Sequence, residues 1–530
     1  MQAGDAETLS GEQRAVLEAA LGGANVFFTG KAGTGKSTLL RAVVGALRAK
    51  YGAAEFRRRV AVTALTGVAA THVCGQTLHA ALGLGAVRRH RDVRAALNKA
   101  DVRKRVRAWH VLIIDECSML SAELLDAIER ALCDARGSTK QAGGLQIIMC
   151  GDFFQLPPVT KPPAAPASGR GAIAPEDAFH NAGYAFETPA WRRLAMEQAV
   201  LTHVYRQEDA EFVELLDAVR IGGRPGGIAC AAVRRIAQLC AAPLAEREGI
   251  KPTQIFTRNK DVDDMNASEL AKLPGERVCY SAHDQVTAFP DPGADPSVGV
   301  ASELLLRRSD FFRDCMAAPR LALAVGAQVM LLKNLDVRGG LVNGSRGVVA
   351  HFVSPEVAAC MPQAQQQQHG AAAAMREWRA AGGGDLPVVR FLNGREEVVV
   401  PARFSAEVFG VGECARVQVP LKLAWAITVH KSQGMTLDYV RVSLRGVFTT
   451  GQAYVALSRA RSLAGLHVVD CEPGCARSDP LVRGFYKAIT PGMLRDDEER
   501  QAWWDRVHAT WRERMARRTV GDGACAFIAD

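Results

Sequence analysis

Apolar residues in this chain come in short, branched runs, and the stretches between several of them have helical spacing. In the first half the runs are "NVFF", "RVAVTAL", "HVLIIDE", "LQIIMCGD" and "QAVLTHVY". Short apolar strands alternating with helices predict a parallel sheet covered on both faces, an α/β class domain. A second set, "TQIFTRN", "AQVMLLKN", "WAITVHKSQG", "DYVRVSL" and "GLHVVD", predicts a second sheet domain of the same class. Between Leu335 and Leu421 the texture changes. "RGVVAHFV", "LPVVRFLNGREEVVVP" and "ARVQVPL" read as short antiparallel strands, with "LNGRE" as a hairpin turn. The expected organisation is a first domain over 1–195 and a second over 196–334 and 421–480. A small inserted β-barrel spans 335–420, and a helical tail covers 481–530.

Two segments break the pattern. Thr160 to His180 is rich in Pro, Ala and Gly and is expected to be a surface loop. "QAQQQQHGAAAAMREWRAAGGG" is compositionally biased and reads as a loop or frayed helix. In the tail, Trp503, Trp504, Val507 and Trp511 fall near one helical face, which suits a helix docked on the body or one that holds a partner.

A length of 530 residues suggests roughly three or four domains. At 48% hydrophobic the chain can fill several cores and is not a disordered sequence. Lys+Arg 65 against Asp+Glu 56 gives +9, a balance that favours an anionic partner. The 13 cysteines include no zinc-like pair of C-x₂-C motifs; Cys471 and Cys475 form a lone C-x₃-C and are expected as free thiols. That usage suits a reducing, intracellular compartment. There is no apolar run long enough for a membrane span. The start, with Asp5, Glu7, Glu12 and no early Arg, is unlike a transit peptide.

The chemistry begins at "NVFFTGKAGTGKSTLL", Asn25 to Leu40. It matches G-x-x-x-x-G-K-[ST] between a strand and a helix. Gly30, Gly33 and Gly35 let the backbone turn, Thr34 stands between the last two, and the freed N–H groups face phosphate at a helix N-terminus. Lys36 is placed for the β- and γ-phosphates, the Ser37 hydroxyl for Mg²⁺, and Thr38 follows it. Kinases, GTPases, transporters and helicases all carry such a loop. "VLIIDECSML" ends a buried strand on Asp115, suited to holding Mg²⁺, and Glu116, suited to polarising the attacking water. "MCGDFFQLPPV" places Gln155 to sense the γ-phosphate and Asp152 to tether the loop, while Phe153 and Phe154 suit either core packing or base stacking. Arg206 in "HVYRQED" and Arg459 in "GQAYVALSRARS" are candidates for neutralising transition-state charge if two domains close on one nucleotide.

Taken together, these motifs resemble the Pif-one-type (petite integration frequency) DNA helicases, superfamily 1B and related to RecD. "LSGEQRAVLEAA", "VTALTGVAATHVCGQTLHAALGLG", "GAQVMLLKNLDVRGGLVNGSRGVV", "AWAITVHKSQGMTLD" and "QAYVALSRARSLAGL" complete the set, in order from about Leu9 to Asp470. The resemblance implies two tandem RecA-like P-loop domains with ATP and Mg²⁺ in their cleft, walking 5′ to 3′ on single-stranded DNA. It also implies duplex or forked DNA as substrate, in repair, recombination and telomere-type processes, within nucleus or mitochondrion in a eukaryote. By motif match Gln13 would contact adenine, and Lys36, Ser37, Asp115, Glu116, Gln155, Arg206, Gln433, Gly434 and Arg459 would line the ATP site. Thr66, Gly67, His79, Asn343, Thr428, His430 and Ser432 would track the DNA. The resemblance places a wedge subdomain at about 83–109. There "VRRHRDVRAALNKADVRKRVRAW" is one-sidedly basic from Arg88 to Arg107, which suits phosphate contacts or a solvated charged face. Two rival readings are a DNA-stimulated ATPase that displaces protein without unwinding, and a P-loop kinase; the late motifs argue against the kinase.

Overall fold

The structure is a computed structural model that describes residues 9–85, 87–160, 178–223, 227–246, 249–288, 303–304, 306–307, 311–336, 339–360, 371–408, 412–472, 474–490, 493 and 497–520. Most of the loop Thr160–His180 and the glutamine run therefore lie outside the described residues; of the biased stretch, Ala371–Ala380 is a helix.

The first domain is a six-stranded parallel sheet in the order β3-β2-β4-β5-β1-β6. Its strands are β1 (Val26–Gly30), β2 (Val60–Ala64), β3 (Gln76–Thr77), β4 (Val111–Asp115), β5 (Gln146–Cys150) and β6 (Glu197–Leu201). β1 and β4 are buried along their whole length, as strands covered on both faces must be. The strand order decides the chemistry. β5 lies between β1 and β4, so the phosphate loop after β1, the acid pair at the end of β4 and the "GDFFQ" turn after β5 share one edge. This is the carboxyl edge, where open α/β sheets bind ligands. β6 pairs with β1 from Val26↔Glu197 to Gly30↔Leu201, so the first domain runs past the expected boundary at 195.

The second domain has a four-stranded parallel sheet of Ala426–Thr428, Thr253–Phe256, Val440–Ser443 and Leu466–Asp470. "AQVMLLKN" is not in it. Gln328–Leu331 instead pairs antiparallel with Arg346–Val353 and with Leu421–Leu423. Its four residues are all buried, which hides the alternation that usually marks an antiparallel strand. Antiparallel pairing starts still earlier, where Val278–Ser281 meets Arg320–Leu323, and not at 335. The inserted strands group into sheets of five, three and two. The "LNGRE" hairpin is present: Phe391 N donates to Arg395 O at 2.8 Å across a turn with Gly394 at φ 80°.

The tail then returns to the first domain. Helix Pro480–Ile489 drives Phe485, with no exposed surface, into an aromatic cluster; its ring stacks on Phe186 at 4.4 Å and meets Phe153 edge-on at 5.2 Å. Helix Asp497–Val520 lays Trp504, Val507 and Trp511 on the same body, and Arg514 pairs with Glu187 at 3.0 Å. The apolar face of the tail is thus occupied by the protein itself. Among the described residues no helix is long and apolar enough to cross a membrane, and the described cysteines are free thiols.

Because Phe485 completes a core built by residues more than two hundred positions away, Phe485→Ala should destabilise the first domain by about 3–5 kcal/mol. Urea unfolding followed by tryptophan fluorescence checks this; a loss under about 1 kcal/mol would mean the tail is only loosely attached.

Candidate active site

The phosphate loop leaves β1 with Gly33 at φ 87° and Gly35 at φ 79°, conformations that a side chain would strain. Space is short as well: a Cβ on Gly33 would come within 2.6 Å of Arg206 Cβ, and one on Gly35 within 2.8 Å of Gln13 Nε2. Lys36 opens the helix Lys36–Tyr51, and its Nζ donates to Gly30 O at 2.7 Å and Lys31 O at 2.9 Å. Burial lowers its pKa. Ser37 and Thr38 are exposed on the first turn. Gln13 is positioned by local chemistry. It is the third residue of a helix capped by Ser10, with Ser10 N donating to Gln13 Oε1 at 3.0 Å. Its amide also reaches Thr34 O at 3.5 Å, so Gln13 braces the loop.

Across from Lys36 stands the acid pair. Asp115 Oδ1 accepts from Glu116 N at 2.9 Å, and Glu116 holds the left-handed φ of 52°. A non-glycine residue in that region is strained, and such strain gathers at functional sites. Burial raises the pKa of both carboxyls, and for Glu116 the charge of Asp115 raises it further. Gln433, from the second domain, donates to Glu116 Oε2 at 2.8 Å and to Gln155 Oε1 at 3.4 Å. Gln433, Glu116 and Gln155 thus meet at one point between the domains.

Two arginines close the cleft. Arg206 lies against the loop at Gly33 and donates to Ser458 O at 3.1 Å. Arg459, 1% exposed, donates to Val455 O, Ser432 O, Met435 O and Ser458 Oγ, so it braces the turn that carries Gln433. Burial lowers the pKa of each. For Arg206 the charge of Arg459 adds to the effect, and the result is about 9. Sequence reasoning passed over two tyrosines here, though both lay inside quoted motifs. Tyr454 Oη accepts from Ala32 N of the loop at 2.8 Å, and Tyr205 stands exposed beside Gly35 and Gln13.

The expected DNA track is only partly a surface. Thr66 caps Gly67–His72 by accepting from Ala69 N at 3.2 Å. His79 lies on the short helix Leu78–Ala81. Asn343 Nδ2 meets His72 Nε2 at 2.9 Å, joining the inserted strands to the first domain. A Cβ on Gly434 would stand 3.4 Å from His72 Nδ1. Thr428 and Ser432 are buried, with hydroxyls bonded to Lys431 N and Val429 O within their own turn. His430 and Lys431 are exposed there. Lys422 is pushed down to about 8 by burial and then by Lys431, and His72 to about 4 by burial and then by Lys422 and Arg41. His72 is therefore neutral near pH 7, and the positive charge beside it comes from Lys422, Lys431 and Arg41.

The basic stretch forms two helices, His90–Leu97 and Ala100–Ala108, and part of its charge is structural. Buried Arg105 donates to Ala81 O at 2.8 Å, Arg107 to Ala135 O at 2.8 Å, and Arg94 pairs with Asp134 at 2.8 Å. Arg88, Arg91, Lys99 and Lys104 are exposed.

Comparison with known proteins agrees with this architecture. Residues 8–225 match the PIF1-like helicase family, and 312–352 match the DNA helicase Pif1 2B domain. The crystal structure of Pif1 helicase from Candida albicans is 33% identical, with a TM-score of 0.62 over 91% of this chain and 99% of that one. This chain belongs to the Pif1 helicase family. The ATP-dependent DNA helicase PIF1 of Xenopus laevis is 40% identical over 90% of this chain. The chain spans 64% of that relative's length. A Bacteroides Pif1 crystallised with ADP-AlF3 and ssDNA is 27% identical, with a TM-score of 0.55 over 92% of this chain and 98% of that one. The 2B match begins before residue 335, as the antiparallel strands do.

The acid pair has a consequence for stability. Its raised pKa values mean that the folded, nucleotide-free protein keeps protons the unfolded chain has released. The pair's contribution to stability is therefore lost as pH rises from about 4.5 to about 7. Glu116→Gln should flatten that fall, seen as a smaller drop in unfolding temperature across this window than in wild type. Parallel profiles would show that Glu116 titrates as an exposed carboxylate.

Proposed function

We propose that this chain is an ATP-dependent DNA helicase that translocates on single-stranded DNA, 5′ to 3′, and unwinds duplex or forked DNA in genome maintenance. The observation that carries the reading is the meeting of Glu116 and Gln155 with Gln433 of the second domain, beside the phosphate loop. A P-loop enzyme acting on a small molecule has no need of a second parallel-sheet domain whose side chain reaches the γ-phosphate pocket. Support comes also from the names of the relatives and from the Bacteroides neighbour crystallised with nucleotide analogue and ssDNA.

In this reading Lys36 and the amides of Gly33 to Thr38 hold the β- and γ-phosphates. The Ser37 hydroxyl and the Asp115 carboxylate are hard oxygen donors that would hold Mg²⁺, and the ion would neutralise charge on the phosphates. Glu116 orients the attacking water and takes its proton, for which its raised pKa suits it. Gln155 and Gln433 position that water. Arg459 stands close enough to Arg206 to lower its proton affinity, an arrangement that a phosphate group between them would relieve. Gln13 reads adenine from its place beside Gly35.

DNA would lie along the cleft charged by Lys422 and Lys431 and flanked by His72 and His430, with Thr66, Gly67, His79 and Asn343 at its edge. Thr428 and Ser432 then serve by shaping the turn that presents His430. Exposed basic residues of His90–Leu97 and Ala100–Ala108 meet the duplex phosphates, a contact that weakens with salt. The deciding experiment is strand displacement on duplexes with a 5′ or a 3′ single-stranded tail, with and without ATP. Unwinding of the 5′-tailed duplex alone is expected. ATP hydrolysis that rises with ssDNA but separates no strands would favour a protein-displacing ATPase.

Lys36→Ala should abolish ATP hydrolysis and leave ssDNA affinity within about threefold, because the loop and the cationic cleft are separate structures. Hydrolysis above a tenth of wild type would remove Lys36 from the assignment. Arg459→Ala should lower DNA-stimulated turnover by about 10³-fold or more where chemistry is limiting. An unchanged ratio of stimulated to basal turnover would show that Arg459 does not couple DNA to hydrolysis.

A further inference from the structure

Asp152 has no exposed surface, and two distant parts of the chain converge on it. Arg220, from the second-domain helix Ala210–Ile221, donates twice: Nη2 to Oδ1 at 2.8 Å and Nε to Oδ2 at 3.1 Å. Tyr486, from the returning tail helix, donates its hydroxyl to Oδ1 at 2.9 Å. With that proton committed, the Tyr486 oxygen accepts from Phe153 N at 3.2 Å and from the Thr29 hydroxyl at 2.6 Å. The guanidinium of Arg220 also lies over the rings of Phe154, at 4.4 Å, and Tyr486, at 4.9 Å, and those two rings stack at 4.7 Å.

The placement of this cluster gives it meaning. Thr29 precedes Gly30, the first glycine of the phosphate loop. Asp152 is the first residue of the turn that ends in Gln155, and that turn closes through Gln155 N to Asp152 O at 2.8 Å and Phe154 N to Asp152 Oδ1 at 3.2 Å. A bidentate guanidinium fixes angle as well as distance, which a single contact does not. The second domain presses on the same turn elsewhere: a Cβ on Gly451 would stand 2.2 Å from Gln155 O. The charges of Asp152 and Arg220 are also felt at Lys36.

We propose that Arg220 and Tyr486 are positioning residues for ATP hydrolysis: through Asp152 they lock the Gln155 turn and the root of the phosphate loop to the second domain and to the C-terminal segment. The inference rests on the proposed function and deepens it. It assigns the tail an active role, since a tyrosine 334 residues from Asp152 sets the geometry of the γ-phosphate pocket. Neither residue touches the reacting atoms, so their loss should misplace Gln155 without removing any group that binds nucleotide.

The test is steady-state ATP hydrolysis, with and without saturating ssDNA, by wild type, Tyr486→Phe, Arg220→Lys and Arg220→Met, with unfolding temperatures alongside. Tyr486→Phe keeps the stacked ring and removes only the hydroxyl. It should lower DNA-stimulated kcat about tenfold and leave the KM for ATP within about twofold. Arg220→Met should lower kcat about a hundredfold, the scale of a misplacement of about 1 Å, and Arg220→Lys should recover part of it. If Arg220→Met does not fold, Tyr486→Phe and Arg220→Lys decide. Should both keep kcat within about twofold of wild type, whatever their unfolding temperatures, the cluster is a structural pin only and the proposal fails. A rise in KM with kcat unchanged overturns it as well. A wild-type protein whose hydrolysis ignores DNA would sink the helicase reading, while the variant-to-wild-type ratio of basal kcat would still decide this one. A wild type with no hydrolysis overturns both.

Discussion

A carboxylate with no exposed surface cannot stay ionised alone, and Asp152 is held ionised at the turn that carries Gln155. Burial alone would raise its pKa, and the paired Arg220 guanidinium outweighs that. Removing one partner of such a buried pair typically costs about 3–5 kcal/mol, so the second domain's helix Ala210–Ile221 is fixed against the edge of the first sheet. The phosphate loop, the Gln155 turn and the second domain are therefore not independent pieces. The tail enters the same arrangement through Tyr486, whose neighbour Phe485 anchors it in the aromatic core.

Beyond that pair, the cleft gathers buried carboxyls and guanidiniums whose pKa values are set first by burial. Asp115 and Glu116 crowd two carboxyls together with raised pKa values, and Arg206 and Arg459 crowd two guanidiniums with lowered ones. Lys36 is spent on backbone carbonyls of its own loop. A folded protein tolerates such arrangements where a ligand will settle them. Glu116 adds a strained φ of 52° at the strand end, where its side chain meets Gln433.

Much of this was legible in one dimension because it rests on local rules. The phosphate loop, the acid pair and the Gln155 turn are each a strand ending in a fixed chemical signature, and parallel strands place their carboxyl ends together. Ser10 and Gln13 form a capping box, another local rule, which the structure brought out. What misled was burial without alternation. Gln328–Leu331 is apolar on both faces and reads as a parallel strand, yet it pairs antiparallel, because its neighbours lie on sequence stretches whose register only the fold fixes. Charge misled in a similar way. Arg105 and Arg107 look like part of a phosphate-binding face, and both are tied to helix carbonyls, at Ala81 and Ala135.

The sequence by itself determined the local motifs around the cleft, since glycine turns, strand-end carboxylates and helix caps are set by neighbours a few positions apart. The tertiary structure decided which of them meet. Gln433 finds Glu116 across 317 positions, Tyr486 finds Asp152 across 334, and Asn343 finds His72 across 271. No local rule encodes such meetings. They follow from the docking of two sheets and a returning tail, in which the buried polar groups at the junction had to find partners or remain unsatisfied at a cost.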